Sequence, residues 1–524
     1  MSRDAAIAVA PRRGRAGVGL AALRRPSAAR GDLAFGASVV ALAALAAAAL
    51  IGAPGLHRWI VALAIAANLA VVAVCRPRLA VLAMLAFLPL MALVRRIETL
   101  DAPWTSQDPL VLVVPGVVTL LCAHLFLVQR RPLVRGPASL LVVALVAIGI
   151  LEVGNPSGGG IAVGASGLIF LAVPLGWFFI GRELGDRALV RSVMVMVAAM
   201  GIPIAIYGLL TTQLGFPIWD RNWMDAVDFQ VLNVGTSTAG SAIRPFGTFS
   251  APSEYLYWLG AMIVFSITAF YERRSALVLV VPLGAVALFL GSGRTPLILT
   301  VLAVMVMTIL RVLKGRRALV PILAAVLVTG GLLLVAGPLL SRVAAGSSDP
   351  AVAHQGSGLG NPLDESSSTL PTHFRAFRQG IESGVRNPLG QGTGAASHTA
   401  DTLGSSGTTP QKTTVDDNGA DESLRGTDAD ISNVFLSLGA AGGFVYLALL
   451  CVLARALLRR YGRWRDPILL GIIGFSVLLS FEWLRGEQYA ISALTWFLLG
   501  WATRSQDDPR LDEAVAPRAA AAGG

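Results

Sequence analysis

Long apolar runs recur along the chain, and their length restricts its fold more than any other feature of the sequence. Runs of about 17–25 residues match a helix that crosses the hydrocarbon core of a bilayer. Inside a bilayer the backbone must satisfy its own hydrogen bonds, so each run is expected to be helical. The fourteen predicted spans are 33–52, 58–75, 79–94, 109–128, 137–153, 160–181, 190–213, 253–270, 276–291, 294–313, 318–340, 431–454, 467–482 and 487–503.

The composition supports the same fold class. Hydrophobic residues make up 55% of the chain and charged residues only 14%, whereas soluble domains are nearer a quarter charged. The runs 79–94, 276–291 and 467–482 are the weakest of the set, so twelve to fourteen spans are expected. We therefore predict an all-α, polytopic membrane protein with one large extracytoplasmic loop.

The distribution of charge excludes some partners. The net charge is +11, but the arginines punctuate the apolar runs and do not cluster with aromatic residues on one face. A nucleic-acid partner is therefore not expected. The three cysteines, Cys75, Cys122 and Cys451, lack the paired spacing of a zinc site or a disulfide framework.

The connections between the runs alternate between basic-rich and basic-poor. Because basic connections stay in the cytoplasm, this predicts cytoplasmic termini and outer loops at 214–252 and 341–430. Arg95, Arg96 and Arg485 are exceptions, since they fall at outer connections. The predicted divisions are a disordered basic arm at 1–32, eleven helices within 33–340, the loop 341–430, three helices within 431–503 and a disordered tail at 504–524.

The loop 341–430 divides into three parts. Residues 373–385 carry Phe374, Phe377, Ile381 and Val385 at helical spacing, which predicts an amphipathic helix at the membrane mouth. The preceding residues 344–368 are expected to be irregular. Residues 395–428 are rich in Gly, Ser, Thr and Asp, and we expect them to form a mobile flap.

Four segments resemble motifs of the bacterial O-antigen ligase/polymerase superfamily, and they occur in that family's order. Residues 244–255, Arg-Pro-Phe-Gly-Thr-Phe-Ser-Ala-Pro-Ser-Glu-Tyr, are similar to the entry to one span. Residues 291–295, Gly-Ser-Gly-Arg-Thr, are similar to the outer end of a later span. Residues 373–394 are similar to the large outer loop, and 430–443, which begin Asp-Ile-Ser-Asn-Val-Phe-Leu, to the loop exit.

This resemblance implies a membrane glycosyltransferase of GT-C-like fold, without metal or cofactor, in the bacterial inner membrane. Its donor would be a glycan on undecaprenyl pyrophosphate, and an acceptor hydroxyl would attack the anomeric carbon with inversion. The implied activity is polymerisation or ligation of an exported polysaccharide. The implied partners are the lipid-linked oligosaccharide, membrane lipid, and proteins of polysaccharide export or chain-length control.

The chemistry of such a reaction selects residues. Pyrophosphate leaves with growing negative charge, and guanidinium groups bind phosphate through planar, permanently charged forks. A base for the acceptor hydroxyl is also needed. The predicted pyrophosphate ligands are Arg244, Arg294, Arg375 and Arg378, the predicted catalytic residues are His373 and Glu254, and the predicted accessory residues are Glu422, Asn433 and Arg485.

Two departures from the family pattern affect these assignments. Ser432 stands where the loop exit usually has a histidine, which removes the usual base or acceptor contact. His373 stands where many members carry arginine, and this favours polymerase over ligase.

Two further classes of function compete with the enzyme. A transporter or flippase of lipid-linked oligosaccharide would place ionisable residues near the middle of its spans, often in broken helices. The span interiors here are nearly free of charge, which favours the enzyme. The third class is a receptor or scaffold whose outer loop binds a partner.

Overall fold

A computed structural model describes most of the apolar part of the chain. The described residues are 57–105, 108–158, 160–226, 243–273, 275–312, 370–394, 430–480, 482–484 and 489–507, with the isolated positions 328, 342, 352 and 355–356. Within them the chain forms helices and turns and no strand, so the all-α prediction is confirmed.

The described residues form the following helices, given in chain order. They are α1 (His57–Cys75), α2 (Pro77–Ile97), α3 (Leu110–Ala123), α4 (Pro137–Glu152), α5 (Ile161–Leu184), α6 (Arg187–Leu214), α7 (Ile218–Ala226), α8 (Pro252–Arg273), α9 (Val281–Leu290), α10 (Arg294–Val312), α11 (Leu370–Arg386), α12 (Asp430–Trp464), α13 (Pro467–Leu478) and α14 (Tyr489–Asp507). Short 3₁₀ turns cover Glu98–Leu100, Pro156–Gly158 and Ala276–Val280, and one π turn covers His124–Val128.

Eight helices among the described residues are long and apolar enough to cross a membrane. They are α1, α2, α3, α5, α6, α8, α10 and α12, where α2 and α3 include the turns that follow them. Shorter apolar helices cover Pro137–Glu152, Ala276–Leu290 and Pro467–Leu478. The predicted span 33–52 and, apart from residue 328, the predicted span 318–340 lie outside the described residues. The remaining predicted spans all coincide with helices, while the total of fourteen stays a prediction.

The helices run back and forth, so the bundle has two ends. Among the described residues, the loop end contains 98–105, 108–109, 153–158, 160, 215–226, 243–251, 291–293, 387–394 and 482–484. The arginine end contains 124–136, 185–186, 275–280 and 465–466. Hydrogen bonds join distant parts of each end, as from Thr393 to the Gly164 carbonyl at the loop end and from Arg131 to the Glu183 carbonyl at the arginine end.

Small residues let the helices of the core approach closely. An added Cβ on Gly181 of α5 would lie 1.9 Å from the Phe497 carbonyl oxygen of α14. An added Cβ on Gly500 would lie 2.0 Å from the Phe178 oxygen, so the two backbones touch at this crossing. Such contacts are typical of helices packed in membranes, where dispersion and close approach hold helices together.

The helix predicted at 373–385 is confirmed, and it begins at Leu370 and ends at Arg386. Its packing differs from the predicted apolar stripe. Gly380 and Gly384 are buried against the first turns of α12, whereas Phe374 is 64% and Val385 51% exposed. The two glycines make the contact because side chains there would collide with the α12 backbone. The two ends of the apolar stripe are therefore exposed, while Phe377 and Ile381 between them are half-buried.

Candidate functional site

Arg96, near the end of α2, is the buried centre of the loop end. Its side chain is 1% exposed, and its Nε lies 3.0 Å from Oδ1 of Asp220. Its Nη2 donates to the Gly247 carbonyl at 2.7 Å, and its Nη1 donates to the Phe249 carbonyl. One guanidinium thus fixes both α7 and the segment 243–251.

The partner of Arg96 is itself held by a second helix. Tyr207 of α6 donates from its hydroxyl to Oδ2 of Asp220 at 2.7 Å, and Trp219 donates to the same hydroxyl at 2.9 Å. Burial raises the pKa of the Asp220 carboxyl, and Arg96 and Tyr207 oppose this shift. A buried carboxylate is tolerated when it is paired and hydrogen-bonded in this way.

Aromatic rings complete the support of the segment 243–251. Phe246 is fully buried, stacks on Phe216 at 5.1 Å between ring centroids, and meets Trp223 edge-on at 5.2 Å. The Arg96 guanidinium lies 4.6 Å from the centre of the Phe246 ring. Gly247 has φ +54°, and an added Cβ would lie 2.5 Å from the Tyr255 ring. The sharp turn at Gly247 therefore depends on glycine.

A second ionic cluster lies beside the first. Asp108, which is buried, is 3.2 Å from Nε of Arg95 and 3.6 Å from Nη1 of Arg58. Arg58 also donates to the Pro103 carbonyl at 2.8 Å, and Arg95 lies over the Trp104 ring at 4.3 Å. These contacts close the connection between α2 and α3.

The turn 291–293 positions Arg294 at the first residue of α10. Gly291 and Gly293 lie on either side of Leu256 of α8, and an added Cβ on them would lie 2.3 and 2.2 Å from that leucine. Ser292 between them has φ +58°, a left-handed conformation that is uncommon outside glycine. The packing of Leu256 thus holds the N-terminus of α10 against α8.

Arg244 and Arg294 are brought together here. Both side chains are half-buried, and their positive charges repel each other. Burial lowers the pKa of the Arg244 guanidinium. The N-terminus of α10 adds the positive end of a helix dipole to the same place. Two cations and a helix N-terminus make a positively charged site that suits an anion.

Glu254 has a structural role in this arrangement. The side chain is buried in the first turn of α8, and its Oε1 accepts a 2.9 Å hydrogen bond from the Ala490 amide. The carboxylate therefore caps the N-terminus of α14, where backbone N–H groups otherwise lack partners. Its predicted role as a base stays a prediction.

The glycines of the turn 387–394 pack against protein backbone, while Leu389 is 73% exposed. α12 is interrupted at Gly439, which has φ 65° and ψ −166°. The Gln391 and Gly392 amides donate to the Leu436 and Ser437 carbonyls at 2.9 and 3.0 Å. These amides therefore satisfy carbonyls that the break in α12 frees.

The remaining predicted residues are placed as follows. Arg375 and Arg378 are exposed on α11, and Arg378 pairs with Glu382 at 2.6 Å. Ser432 is fully buried and faces Gly380 of α11. Asn433 beside it is half-buried. The backbone of His373 lies in the first turn of α11, while Glu422 and Arg485 lie outside the described residues.

The residues that hold this site in place were not predicted from the sequence. They are Arg96, Asp220, Arg58 and Asp108, which fix the loops around Arg244. One signal pointed to Arg95 and Arg96, since they violate the charge alternation that places basic residues in the cytoplasm. An arginine pair buried at a helix end needs a local carboxylate or anion, and here the partners are Asp108 and Asp220.

No protein-family model, curated protein or solved structure matches this chain.

Proposed function

We propose that this protein is a membrane glycosyltransferase that binds a lipid-linked glycan pyrophosphate at its loop end. The observation that carries the proposal is the meeting of Arg244 and Arg294 at the N-terminus of α10. Two half-buried positive charges repel each other, whereas an anion bound between them attracts both. A pyrophosphate offers each guanidinium a phosphate group.

The reaction would use these charges in the transition state. The acceptor hydroxyl oxygen forms a bond to the anomeric carbon while the bond from that carbon to the pyrophosphate oxygen breaks. The hydroxyl proton passes to a base, and negative charge grows on the leaving pyrophosphate, where Arg244 and Arg294 stabilise it. Arg375 and Arg378, which are exposed on α11, are proposed as further phosphate ligands.

The Glu254 carboxyl group already accepts the Ala490 amide. We therefore assign the base role to His373 of α11, two residues before Arg375. Glu422, Asn433 and Arg485 remain proposed accessory residues. The proposed setting is the bacterial inner membrane, with the loop end outside and both chain termini in the cytoplasm.

A flippase for lipid-linked oligosaccharide is the second candidate, and one observation favours it. α12 is broken at Gly439, and broken helices form substrate sites in many transporters. The carbonyls at this break accept hydrogen bonds from the Gln391 and Gly392 amides. Contacts within the protein therefore explain the break without a bound substrate. The enzyme is therefore preferred.

The test uses purified protein with an undecaprenyl-pyrophosphate-linked oligosaccharide. Elongation of the glycan would establish a polymerase, and transfer to a different acceptor would establish a ligase. Movement of the lipid across the bilayer without transfer would establish a flippase. Alanine at Arg244 or Arg294 should abolish transfer while the protein still inserts, and full transfer by these variants would refute the proposal.

A further inference from the structure

A second positively charged site lies at the opposite end of the bundle. A pocket of about 570 Å³ opens at the arginine end, between the start of α2, the ends of α5 and α14, and the connection after α3. Its charged lining consists of Arg76, Arg78, Arg131, Arg504 and Glu183. None of these residues belongs to the site at the loop end.

Among the described residues that line the pocket, four arginines accompany one carboxylate. Glu183 is buried, and its carboxylate lies 3.1 Å from Arg131, 3.4 Å from Arg135 and 2.9 Å from Arg182. One negative charge is thus shared among three guanidinium groups. Arg78 lies 2.8 Å from Asp186, the carboxylate that also caps the start of α6.

Arg76 and Arg504 add two more charges to the same lining. Arg504 donates to the Gly185 carbonyl, which holds its side chain beside the end of α5. α2 begins at Pro77, so the first turn of a 21-residue helix contributes the positive end of its dipole to the pocket. The lining therefore carries a net positive charge that suits a phosphate group.

The surface beside the pocket suits a lipid. Leu79, which lines the pocket, is 44% exposed, and Val74 on the neighbouring helix is 51% exposed. In the connection that carries Arg131, Leu133 is 41% and Val134 44% exposed. Guanidinium groups next to exposed aliphatic side chains match the boundary between headgroups and acyl chains.

We infer that this pocket binds a phosphate group, in the form of an anionic phospholipid headgroup or a soluble phosphate. The exposed leucines and valines favour the lipid. Binding there would tie together α2, α5 and α14, whose ends line the pocket. The inference is independent of the reaction at the loop end, because it uses no residue of that site.

The experiment measures lipid binding to the purified full chain in detergent by native mass spectrometry. The probes are phosphatidylglycerol, phosphatidylcholine with the same acyl chains, and inorganic phosphate. The test variant is Arg76→Gln/Arg78→Gln, in which both altered side chains are exposed. The matched control is Arg455→Gln/Arg459→Gln, which removes the same charge from exposed positions of α12.

Phosphatidylglycerol should bind the wild type and the control equally and the test variant about tenfold more weakly. Inorganic phosphate at millimolar concentration should displace the lipid from the wild type, which checks the site without any substitution. Binding of phosphate alone, with the same dependence on Arg76 and Arg78, would assign the pocket to a soluble ion. Equal binding of phosphatidylcholine, or no difference between test and control variants, would overturn the inference.

Discussion

Arginine joins helix connections at both ends of the bundle. At the arginine end Arg187, whose side chain is 42% exposed, pairs with Asp466 and Glu272. Arg182 at the same end is 2% exposed and lies 2.9 Å from the buried Glu183 carboxylate. At the loop end Arg96 is 1% exposed and pairs with Asp220. Buried pairs therefore occur at both ends, and the arginine end adds exposed pairs between helix connections.

Two groups of arginines with different surroundings lie at the loop end. Arg96 and Arg95 are matched by buried carboxylates and hold the surrounding segments in place. Arg244 lies in the segment that Arg96 holds, Arg294 begins α10, and the two positive charges repel each other. The difference separates a rigid layer, in which Arg95 and Arg96 lie against buried carboxylates, from a second layer, Arg244 and Arg294, which we propose binds an anion.

The largest effect is expected from breaking the buried pair. Arg96→Ala leaves Asp220 buried without its cation, and the free energy of unfolding should fall by about 3–5 kcal/mol. Arg187→Ala, at the other end, should cost at most about 1 kcal/mol because its ion pairs are exposed to water. Denaturant unfolding in detergent measures both values. Equal losses of unfolding free energy would contradict the distinction between the buried pair of Arg96 and the more exposed pairs of Arg187.

The second-largest effect on stability is expected from a substitution at the break in α12. Gly439→Ala places a non-glycine residue in a conformation that glycine almost alone adopts, and its Cβ would lie 2.2 Å from the Pro388 oxygen. The strain alone should destabilise the protein by about 1–3 kcal/mol. Gly462→Ala in the same helix is the control, since an added Cβ there meets nothing within 4 Å. Limited proteolysis should cut the turn 387–394 faster in Gly439→Ala only.

Glu254 separates a structural role from a catalytic one. Glu254→Ala removes the cap of α14 and should lower the free energy of unfolding by about 1–2 kcal/mol. Glu254→Gln retains an oxygen that accepts the Ala490 amide, so it should keep most of the stability and the transfer activity. A loss of transfer of about 100-fold in Glu254→Gln, at unchanged stability, would instead make Glu254 the base.

The smallest effect is expected at the exposed pair of α11. The Arg378 guanidinium, through its hydrogen bond and its charge, holds the pKa of the Glu382 carboxyl below its ordinary value. The pair is therefore intact at neutral pH, and its contribution is lost only as the pH falls through the lowered pKa. Glu382→Gln at pH 7 should shift Tm by no more than about 1 °C, because solvent screens the pair. A larger shift would show that α11 carries part of the rigid layer.

The helices could largely be predicted from the sequence, whereas the site could not. Hydrophobic length located the spans, and the helical spacing of apolar residues located the helix that begins at Leu370, because both properties are local. The role of Glu254 depends on Ala490, which is 236 residues away. The role of Asp220 likewise depends on a helix in a different part of the chain. Sequence spacing carries no information about such pairs, and Arg244 and Arg294 were predicted to share a pyrophosphate only from the resemblance and the chemistry of the leaving group.

Binding of a lipid pyrophosphate at the loop end is tested most directly by its dissociation constant. Undecaprenyl pyrophosphate would be titrated into the wild type, Arg244→Gln/Arg294→Gln, and the charge-matched Arg455→Gln/Arg459→Gln at the arginine end. Loss of two charge-assisted contacts should weaken binding at least about 100-fold, while the matched variant binds like the wild type. Equal affinity of all three proteins would contradict a pyrophosphate site at Arg244 and Arg294.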